Sequence, residues 1–141
     1  MIVLTLGTFD LLHVGHLELL GACRKMAGPD GRVVVGLNTD AFVTRYKGRA
    51  PVQSYPEREE LLRACRFVDL VLANLGEEDS KPIIETVRPD LLAIGDDWLD
   101  RDYLGQLGVT AGWLLERHLV IEYVPRTRGV STTGMRGRIA A

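Results

Sequence analysis

The chain has 141 residues, of which 46% are hydrophobic, and this is enough for one compact domain with a core. We therefore predict a single domain over residues 1–141. The 17 Lys and Arg residues nearly balance the 19 Asp and Glu residues. The chain therefore lacks the excess of basic residues that would indicate a nucleic-acid partner. No apolar run approaches the ~20 residues that span a bilayer, and the start of the chain does not resemble a signal peptide. We expect a cytoplasmic protein with no membrane partner, in which Cys23 and Cys65 are free thiols.

Five short runs of leucine and β-branched residues alternate with helical patterns along the chain. Most of the runs are continuously apolar, which is typical of strands covered on both faces of a parallel sheet. This alternation predicts an α/β fold: a Rossmann-like, doubly wound domain with a five-stranded parallel sheet. The predicted strands are Ile2–Leu6, Val33–Leu37, Val68–Leu72, Leu91–Ile94 and Leu119–Val124, with helical faces in residues 19–27, 56–66 and 83–87.

Unusual polar segments follow four of these strands. They are Gly7–Asp10, Asn38–Asp40, Gly95–Trp98 and Pro125–Thr127. The opposite strand ends carry plainer turns. Because ligands of open α/β sheets bind beyond the carboxyl ends of the strands, this asymmetry predicts a ligand site there.

The most informative segment is His13-Val14-Gly15-His16, directly after the first strand. Free amides at a helix start attract phosphate, and histidine donors beside them can stabilise charge on a phosphoryl group. Gly15 lets a ligand approach the backbone. A lone histidine is more often structural, but a pair at this spacing favours a phosphate site. A zinc site is the weaker alternative because no clear third ligand accompanies the pair. The third histidine, His118, is expected on the surface.

A second anion-binding segment is predicted at residues 126–133, between the last strand and a C-terminal helix. Ser131 or Thr132 would be a good N-cap, which an ordinary helix would also use. Two arginines, Arg126 and Arg128, share this turn from strand to helix. The combination favours an anion site over simple capping.

These segments together resemble the cytidylyltransferase family, in particular the bacterial glycerol-3-phosphate cytidylyltransferases. The resemblance covers most of the chain, and no P-loop or GxGxxG motif supports another nucleotide fold. It is carried by GTFDLLHVGH at residues 7–16, Asn38–Asp40, Lys47–Arg49, Ser54–Arg58, Arg66–Asp69, Gly95–Trp98 and RTRGVSTT at residues 126–133.

The resemblance implies that CMP passes from CTP to a phosphorylated small alcohol by direct in-line attack, with release of pyrophosphate. Mg²⁺ would be bound mainly through the triphosphate rather than by protein ligands, and the protein would be a homodimer. The implied catalytic residues are His13, His16, Lys47 and Arg126. The implied nucleotide-binding residues are Thr8, Phe9, Asp10, Gly15, Asp40, Asp96, Asp97, Arg126, Thr127, Ser131 and Thr132.

Four basic residues match positions that the family uses on its substrates, and the resemblance assigns them to the acceptor: Lys47, Arg49, Arg58 and Arg66. Lys47 and Arg49, taken alone, could belong to a solvated loop. Arg58 lies near a predicted helix start, where a cation opposes the helix dipole, and this misfit indicates an anionic partner. Arg66 lies near the end of the same helix, where a cation is favourable for structural reasons alone.

Two other functions remain open. HxGH and a Ser-Thr-Thr ending also occur in adenylyltransferases that use ATP on a sugar phosphate or FMN. The chain could also be a nucleotide-binding module without catalysis, although binding alone would not require both histidines. Residues 99–118 form a longer stretch than in the glycerol-phosphate enzymes, which leaves the acceptor unidentified.

Overall fold

The computed structural model describes residues 1–75, 79–125, 133 and 136–138. The strands form one parallel sheet in the order β3-β2-β1-β4-β5, which confirms the predicted fold class. Two predicted starts are early: Val68 lies in a turn, its N–H donating to the Cys65 carbonyl at 3.1 Å, and Leu119 precedes β5. The strands are β1 (Ile2–Gly7), β2 (Arg32–Asn38), β3 (Leu70–Asn74), β4 (Leu91–Gly95) and β5 (Val120–Val124).

Helices cover both faces of this sheet. Val3 and Val33 pack with Cys23 of α1 on one face, where Leu62 of α3 packs with Val35. The other face carries the largest buried cluster, which includes side chains from β1, α4, α5 and α6. The helices are α1 (Val14–Ala27), α2 (Asp40–Lys47), α3 (Tyr55–Arg63), α4 (Lys81–Val87), α5 (Tyr103–Leu107) and α6 (Ala111–Glu116), with a 3₁₀ helix at Asp96–Asp100.

Helix α2 is a feature that the apolar pattern did not predict. It has only two buried residues, Phe42 and Val43, so its helical period is weak. Its ends are nevertheless well defined. Thr39 accepts a hydrogen bond from the Phe42 N–H, and Gly48 ends the helix in the left-handed conformation with φ of 74°. Lys47 is therefore the last helical residue and not part of a loop.

The strand order determines where a ligand can bind. β1 lies between β2 and β4, so the chain turns in opposite directions from β1 and leaves a crevice at its carboxyl end. Gly7 pairs in register with Leu37 of β2, and Asn38 of β2 pairs with Asn74 of β3. The residues that follow these strands therefore meet at one edge of the sheet.

Candidate functional site

A cavity of about 450 Å³ opens at this edge. Its described lining has four cationic side chains (Lys47, Arg49, Arg101 and Arg136) and two carboxylates (Asp10 and Asp97), a balance that suits an anionic ligand. The structure brings together nine of the predicted site residues in this lining: Thr8, Phe9, Asp10, His13, Gly15, His16, Lys47, Arg49 and Asp97.

The two histidines form the N-terminal cap of α1. His13 Nδ1 accepts a hydrogen bond from the Gly15 N–H at 3.1 Å, and His16 Nδ1 accepts one from the His13 N–H at 3.1 Å. Their rings stack, with centroids 3.9 Å apart and planes inclined by 24°. Because both Nδ1 atoms accept, the proton of each neutral ring lies on Nε2, the nitrogen that can donate to a phosphate.

The surroundings of His16 hold its imidazole in the neutral form. Burial, followed by the nearby His13, lowers the pKa of His16 to about 3, and the opposing effect of Asp10 is smaller. The Phe9 ring contributes to this enclosure, with its centroid 5.3 Å from that of His16. A neutral ring at pH 7 is a hydrogen-bond donor and not a fixed positive charge.

The turn between β1 and α1 has an unusual backbone. Phe9 and Leu11 have positive φ values of 51° and 50°, although Phe9 is a buried aromatic residue. Such conformations are unfavourable for L-residues and concentrate at functional sites. Surrounding contacts hold the turn in place: the Leu11 N–H donates to Gln53 Oε1 at 3.0 Å, and a Cβ on Gly7 would lie 2.9 Å from the Phe9 ring.

Asp10 connects three parts of the chain around the cavity. Its carboxylate accepts hydrogen bonds from the Val52 N–H at 2.7 Å and the Gln53 N–H at 2.9 Å, and from Arg136 at 2.9 Å. Burial alone would raise the pKa of Asp10, but the Gln53 and Val52 amides and the Arg136 guanidinium outweigh it and lower the pKa. The carboxylate is therefore ionised and bonded within the protein, where it fixes the turn before α1.

Lys47 and Arg49 line the cavity as exposed cations. Lys47 lies over the Tyr46 ring with its Nζ 5.5 Å from the centroid, and Tyr46 OH lies 3.2 Å from Thr8 Oγ1. Within the described residues, neither Lys47 nor Arg49 forms an ion pair. Two unpaired cations at the mouth of a cavity fit the predicted acceptor-binding role, which stays a prediction.

Arg58, in contrast, is not positioned to bind the acceptor. Its side chain is 0% exposed and is bonded within the protein. Nη1 donates to the carbonyls of Thr8 and Asn38 at 2.8 and 2.9 Å, Nε donates to that of Gln53 at 3.1 Å, and Nη2 pairs with Asp40 at 2.6 Å. The misfit with the helix dipole predicted an anionic partner, and that partner is the Asp40 carboxylate of the protein and not a bound ligand.

Three further residues that were predicted to bind substrates lie outside the cavity lining. Asp40 pairs with Arg58 and accepts the Tyr55 N–H at 3.2 Å, so it joins α2 to α3 and does not line the cavity. Asp96 is not among the lining residues, whereas the adjacent Asp97 is. Arg66 is exposed, lies over the Phe67 ring at 5.3 Å, and precedes β3 at the opposite edge of the sheet. Since the cavity lies at the carboxyl edge, Arg66 is not an acceptor ligand in this arrangement.

Four predicted residues, Arg126, Thr127, Ser131 and Thr132, lie outside the described residues. Their neighbours Thr133 and Arg136 do line the cavity, and Arg136 pairs with Asp10 as described above. Arg136 was missed by the sequence analysis. Its spacing of three residues from Thr133 would place both on one face of a C-terminal helix and could have indicated it.

The cavity wall also contains polar residues that the sequence analysis did not assign. Asn38 and Asn74 each end a strand and are 7% and 3% exposed. Asn38 belongs to a polar segment that predicted the ligand site, whereas Asn74 could have been identified from its position at the end of the neighbouring strand. A second group comes from the longer stretch between β4 and β5, whose short helices give weak sequence signals: Trp98, Arg101, Tyr103 and Gln106.

The described residues contain neither a cluster of metal ligands nor a membrane-spanning helix. No group of three or more His, Cys, Asp or Glu side chains there is arranged to hold a metal ion. Nor does that part of the chain contain a helix with the length and hydropathy required to cross a bilayer.

Comparison with known proteins gives matches that extend over nearly the whole chain. A family model described as cytidylyltransferase-like matches residues 4–138. An FAD synthase from Korarchaeum cryptofilum (strain OPF8) is 34% identical over 140 residues, which cover 97% of this chain and 90% of that protein. The glycerol-3-phosphate cytidylyltransferase of Bacillus subtilis (strain 168) is 34% identical over 139 residues, which cover 98% of this chain and 96% of the relative.

Two further matches extend the comparison. The bifunctional protein HldE of Magnetococcus marinus (strain ATCC BAA-1437 / JCM 17883 / MC-1) is 40% identical over 143 residues, but the match covers only 27% of that longer protein. The crystal structure of the lipopolysaccharide core biosynthesis protein from Thermoplasma volcanium GSS1 has a TM-score of 0.69. That match covers 90% of this chain and 96% of the other at 24% identity, and it supports the fold alone.

Proposed function

Since the chain belongs to the cytidylyltransferase-like family of nucleotidyltransferases, we propose that it transfers CMP from CTP to a small phosphorylated alcohol and releases pyrophosphate. The observation that carries this proposal is the histidine pair at the start of α1. Two stacked imidazoles with Nε2 protons line a cavity that Lys47 and Arg49 also line, and neither cation forms an ion pair with the described residues. This combination provides donors for a reacting phosphoryl group and cations for a second phosphate.

The reaction requires no covalent intermediate on the protein. An oxygen of the acceptor phosphate forms a bond to the α-phosphorus of the nucleotide while the bond from that phosphorus to the bridging oxygen of pyrophosphate breaks. The electron pair of the broken bond leaves with pyrophosphate, and no proton has to be removed from an ionised acceptor phosphate. His13 and His16 donate to the oxygens on which negative charge accumulates, and Lys47 and Arg49 orient the acceptor.

Mg²⁺ enters this proposal as part of the nucleotide substrate. The triphosphate oxygens are the hard ligands that this ion prefers, and the described residues do not form a metal-binding group of their own. When bound, the ion neutralises part of the charge of the triphosphate. The cationic cavity lining and the amides at the start of α1 then act on the remaining charge.

A second candidate keeps the chemistry and changes the substrates. The similarity to an FAD synthase over 97% of this chain favours an adenylyltransferase that uses ATP on FMN or on a sugar phosphate. In that case the histidines and Lys47 would keep the roles described above. The part of the cavity that binds the base would then accept adenine in place of cytosine, and the acceptor end would bind FMN or a sugar phosphate.

A substrate panel separates the two candidates. Purified protein with Mg²⁺ is given CTP or ATP together with glycerol 3-phosphate, a sugar phosphate or FMN, and pyrophosphate release is measured. We expect the highest rate with CTP and a phosphorylated alcohol. Equal or faster turnover with ATP and its best acceptor would establish the adenylyltransferase instead. Light scattering on the same preparation tests the proposed dimer.

A further inference from the structure

Two buried asparagines form part of the wall of the cavity that the cations Lys47 and Arg49 also line. Asn38 ends β2 and Asn74 ends β3, and the two residues are paired in register. They are 7% and 3% exposed, and both line the cavity. Buried amides that are not needed for the sheet require a structural or a ligand-binding explanation.

A network of hydrogen bonds connects both amides to neighbouring side chains. Asn74 Nδ2 donates to Asn38 Oδ1 at 3.1 Å and to Ser80 Oγ at 3.4 Å, which uses both of its hydrogens. Asn38 Nδ2 donates to Thr8 Oγ1 at 3.2 Å, and that hydroxyl also contacts Tyr46 OH at 3.2 Å. These hydrogen bonds therefore connect the end of β3 to the turn between β1 and α1.

This arrangement leaves one acceptor and one donor for a ligand. Asn74 Oδ1 forms no hydrogen bond with the described residues, and Asn38 Nδ2 has a second hydrogen. The fully enclosed polar side-chain atoms without a partner in the described part of the chain are Thr5 Oγ1, Tyr103 OH and Arg136 Nε. Asn74 Oδ1 is not one of them, so it is not fully enclosed, and Asn74 is a lining residue of the cavity.

Ser80, the hydrogen-bond partner of Asn74, connects this wall to the segment between β4 and β5. The Ser80 N–H donates to the Leu107 carbonyl at 2.8 Å, which ties the start of α4 to the end of α5. This contact brings Gln106 into the same wall. A hydroxyl group donates one hydrogen bond and accepts others, so it complements a site that offers one acceptor and one donor.

We propose that Asn74, held by Asn38 and Ser80, is a specificity-determining residue that binds a hydroxyl group of the acceptor. The acceptor is then a phosphorylated polyol, with its phosphate at Lys47 and Arg49 and its hydroxylated carbons toward β3. This inference rests on the proposed function, because it assumes that the cavity receives a phosphorylated acceptor. A site built to bind a hydroxyl disfavours an analogue without one, since its buried amides would be left unpaired.

The test compares glycerol 3-phosphate with n-propyl phosphate, which has the same carbon chain and phosphate but no hydroxyls. We expect wild-type protein to prefer glycerol 3-phosphate by at least about tenfold in kcat/KM. In Asn74→Ala this preference should fall to about one, through the acceptor KM, while the nucleotide KM stays the same. The control is Leu75→Ala: Leu75 is adjacent, 70% exposed and outside the cavity lining, so its substitution should preserve the preference.

Further variants and a binding measurement test the role of Asn74 if Asn74→Ala does not fold or turnover is absent. If Asn74→Ala does not fold, as judged by circular dichroism, Ser80→Ala and Asn74→Ser test the same hydrogen bonds with smaller changes. Titration calorimetry with the two phosphates gives a binding ratio for wild type and variants even without turnover. Preserved discrimination in a folded Asn74 variant, or equal use of the two acceptors by wild type, would overturn the inference alone. Failure of every nucleotide and acceptor pair would instead overturn the proposed function, while calorimetry would still decide the role of Asn74.

Discussion

The starts of α1 and α3 look alike in the sequence but have different roles in the structure. Each begins with a capping box, and an ionisable side chain lies within that box or next to it. At α1 the histidines themselves form the cap and line the cavity. At α3 the cap consists of Ser54 and Glu57, and Arg58 is bonded inside the protein. Position at a helix start therefore does not identify a ligand-binding residue, whereas the hydrogen-bond partners available in the folded protein do.

If this distinction is correct, the largest effect on stability will come from Arg58. Arg58→Ala removes the donor to three backbone carbonyls and leaves Asp40 without its partner, so we expect the free energy of unfolding to fall by about 3–5 kcal/mol. Urea unfolding followed by circular dichroism measures this change. Arg66→Ala is the matched control and should change stability by less than about 0.5 kcal/mol. A stable Arg58 variant with a raised acceptor KM would restore the ligand-binding interpretation.

At the start of α1 we expect loss of turnover instead of loss of fold. His13→Ala and His16→Ala should each lower kcat by ~10²–10³, because each removes a donor to the reacting phosphoryl group. His13→Asn keeps a good N-cap and separates capping from catalysis. His118→Asn is the control, since His118 is exposed and has a positive φ that asparagine tolerates. Near-normal turnover in a folded His13 or His16 variant would contradict the assigned role.

The cations at the cavity mouth should affect the acceptor more than the nucleotide. Lys47→Ala and Arg49→Ala each remove a charged hydrogen bond that contributes roughly 1.5–3 kcal/mol, so the acceptor KM should rise more than the CTP KM. Steady-state kinetics with each substrate varied in turn gives both values. Arg45→Ala is the control, because Arg45 lies on the same helix but does not line the cavity. Unchanged acceptor kinetics in the double variant would indicate a solvated surface and direct attention to the wall formed by Trp98, Arg101 and Gln106.

The smallest effect concerns the neutral state of His16. Its pKa is about 3 in the folded protein and about 6.5 when unfolded, so the unfolded state binds a proton first as pH falls. The contribution of neutral His16 to the free energy of unfolding is fully present above about pH 6.5 and is lost as the pH falls toward 3. Between pH 7.5 and pH 5 the loss is at most about 2 kcal/mol. Urea unfolding at both pH values should show a smaller difference in His16→Gln than in wild type; an equal difference would show that His16 is not held neutral.

The sequence predicted the sheet well because its signal is local and strong. Continuous apolar runs such as Val33–Leu37 and Leu91–Ile94 require burial on both faces, and the structure confirms that these residues form parallel strands. The histidine pair was also recognisable, since the turn after β1 places both residues on one helix start. Helix α2 was not predicted because only Phe42 and Val43 of its eight residues are buried.

The roles of individual charged residues were harder to predict. Arg58 and Arg49 are both arginines near Ser54 in the sequence, but one is buried against backbone carbonyls and the other is exposed at the cavity. That outcome depends on where the carbonyls of Thr8 and Asn38 lie after folding, and no local pattern encodes it. The Asn38 and Asn74 pairing likewise requires the register between β2 and β3.

The transfer of labelled CMP from CTP to an acceptor is the most direct test of the proposed reaction. Wild-type protein is incubated with CTP labelled at the α-phosphate, Mg²⁺ and glycerol 3-phosphate, and the labelled products and released pyrophosphate are quantified. We expect one labelled cytidine diphosphate alcohol for each pyrophosphate released, and neither product in a folded variant that lacks both the His13 and His16 side chains. Absence of label transfer to any phosphorylated alcohol, or equal transfer by the double histidine variant, would contradict the proposed reaction.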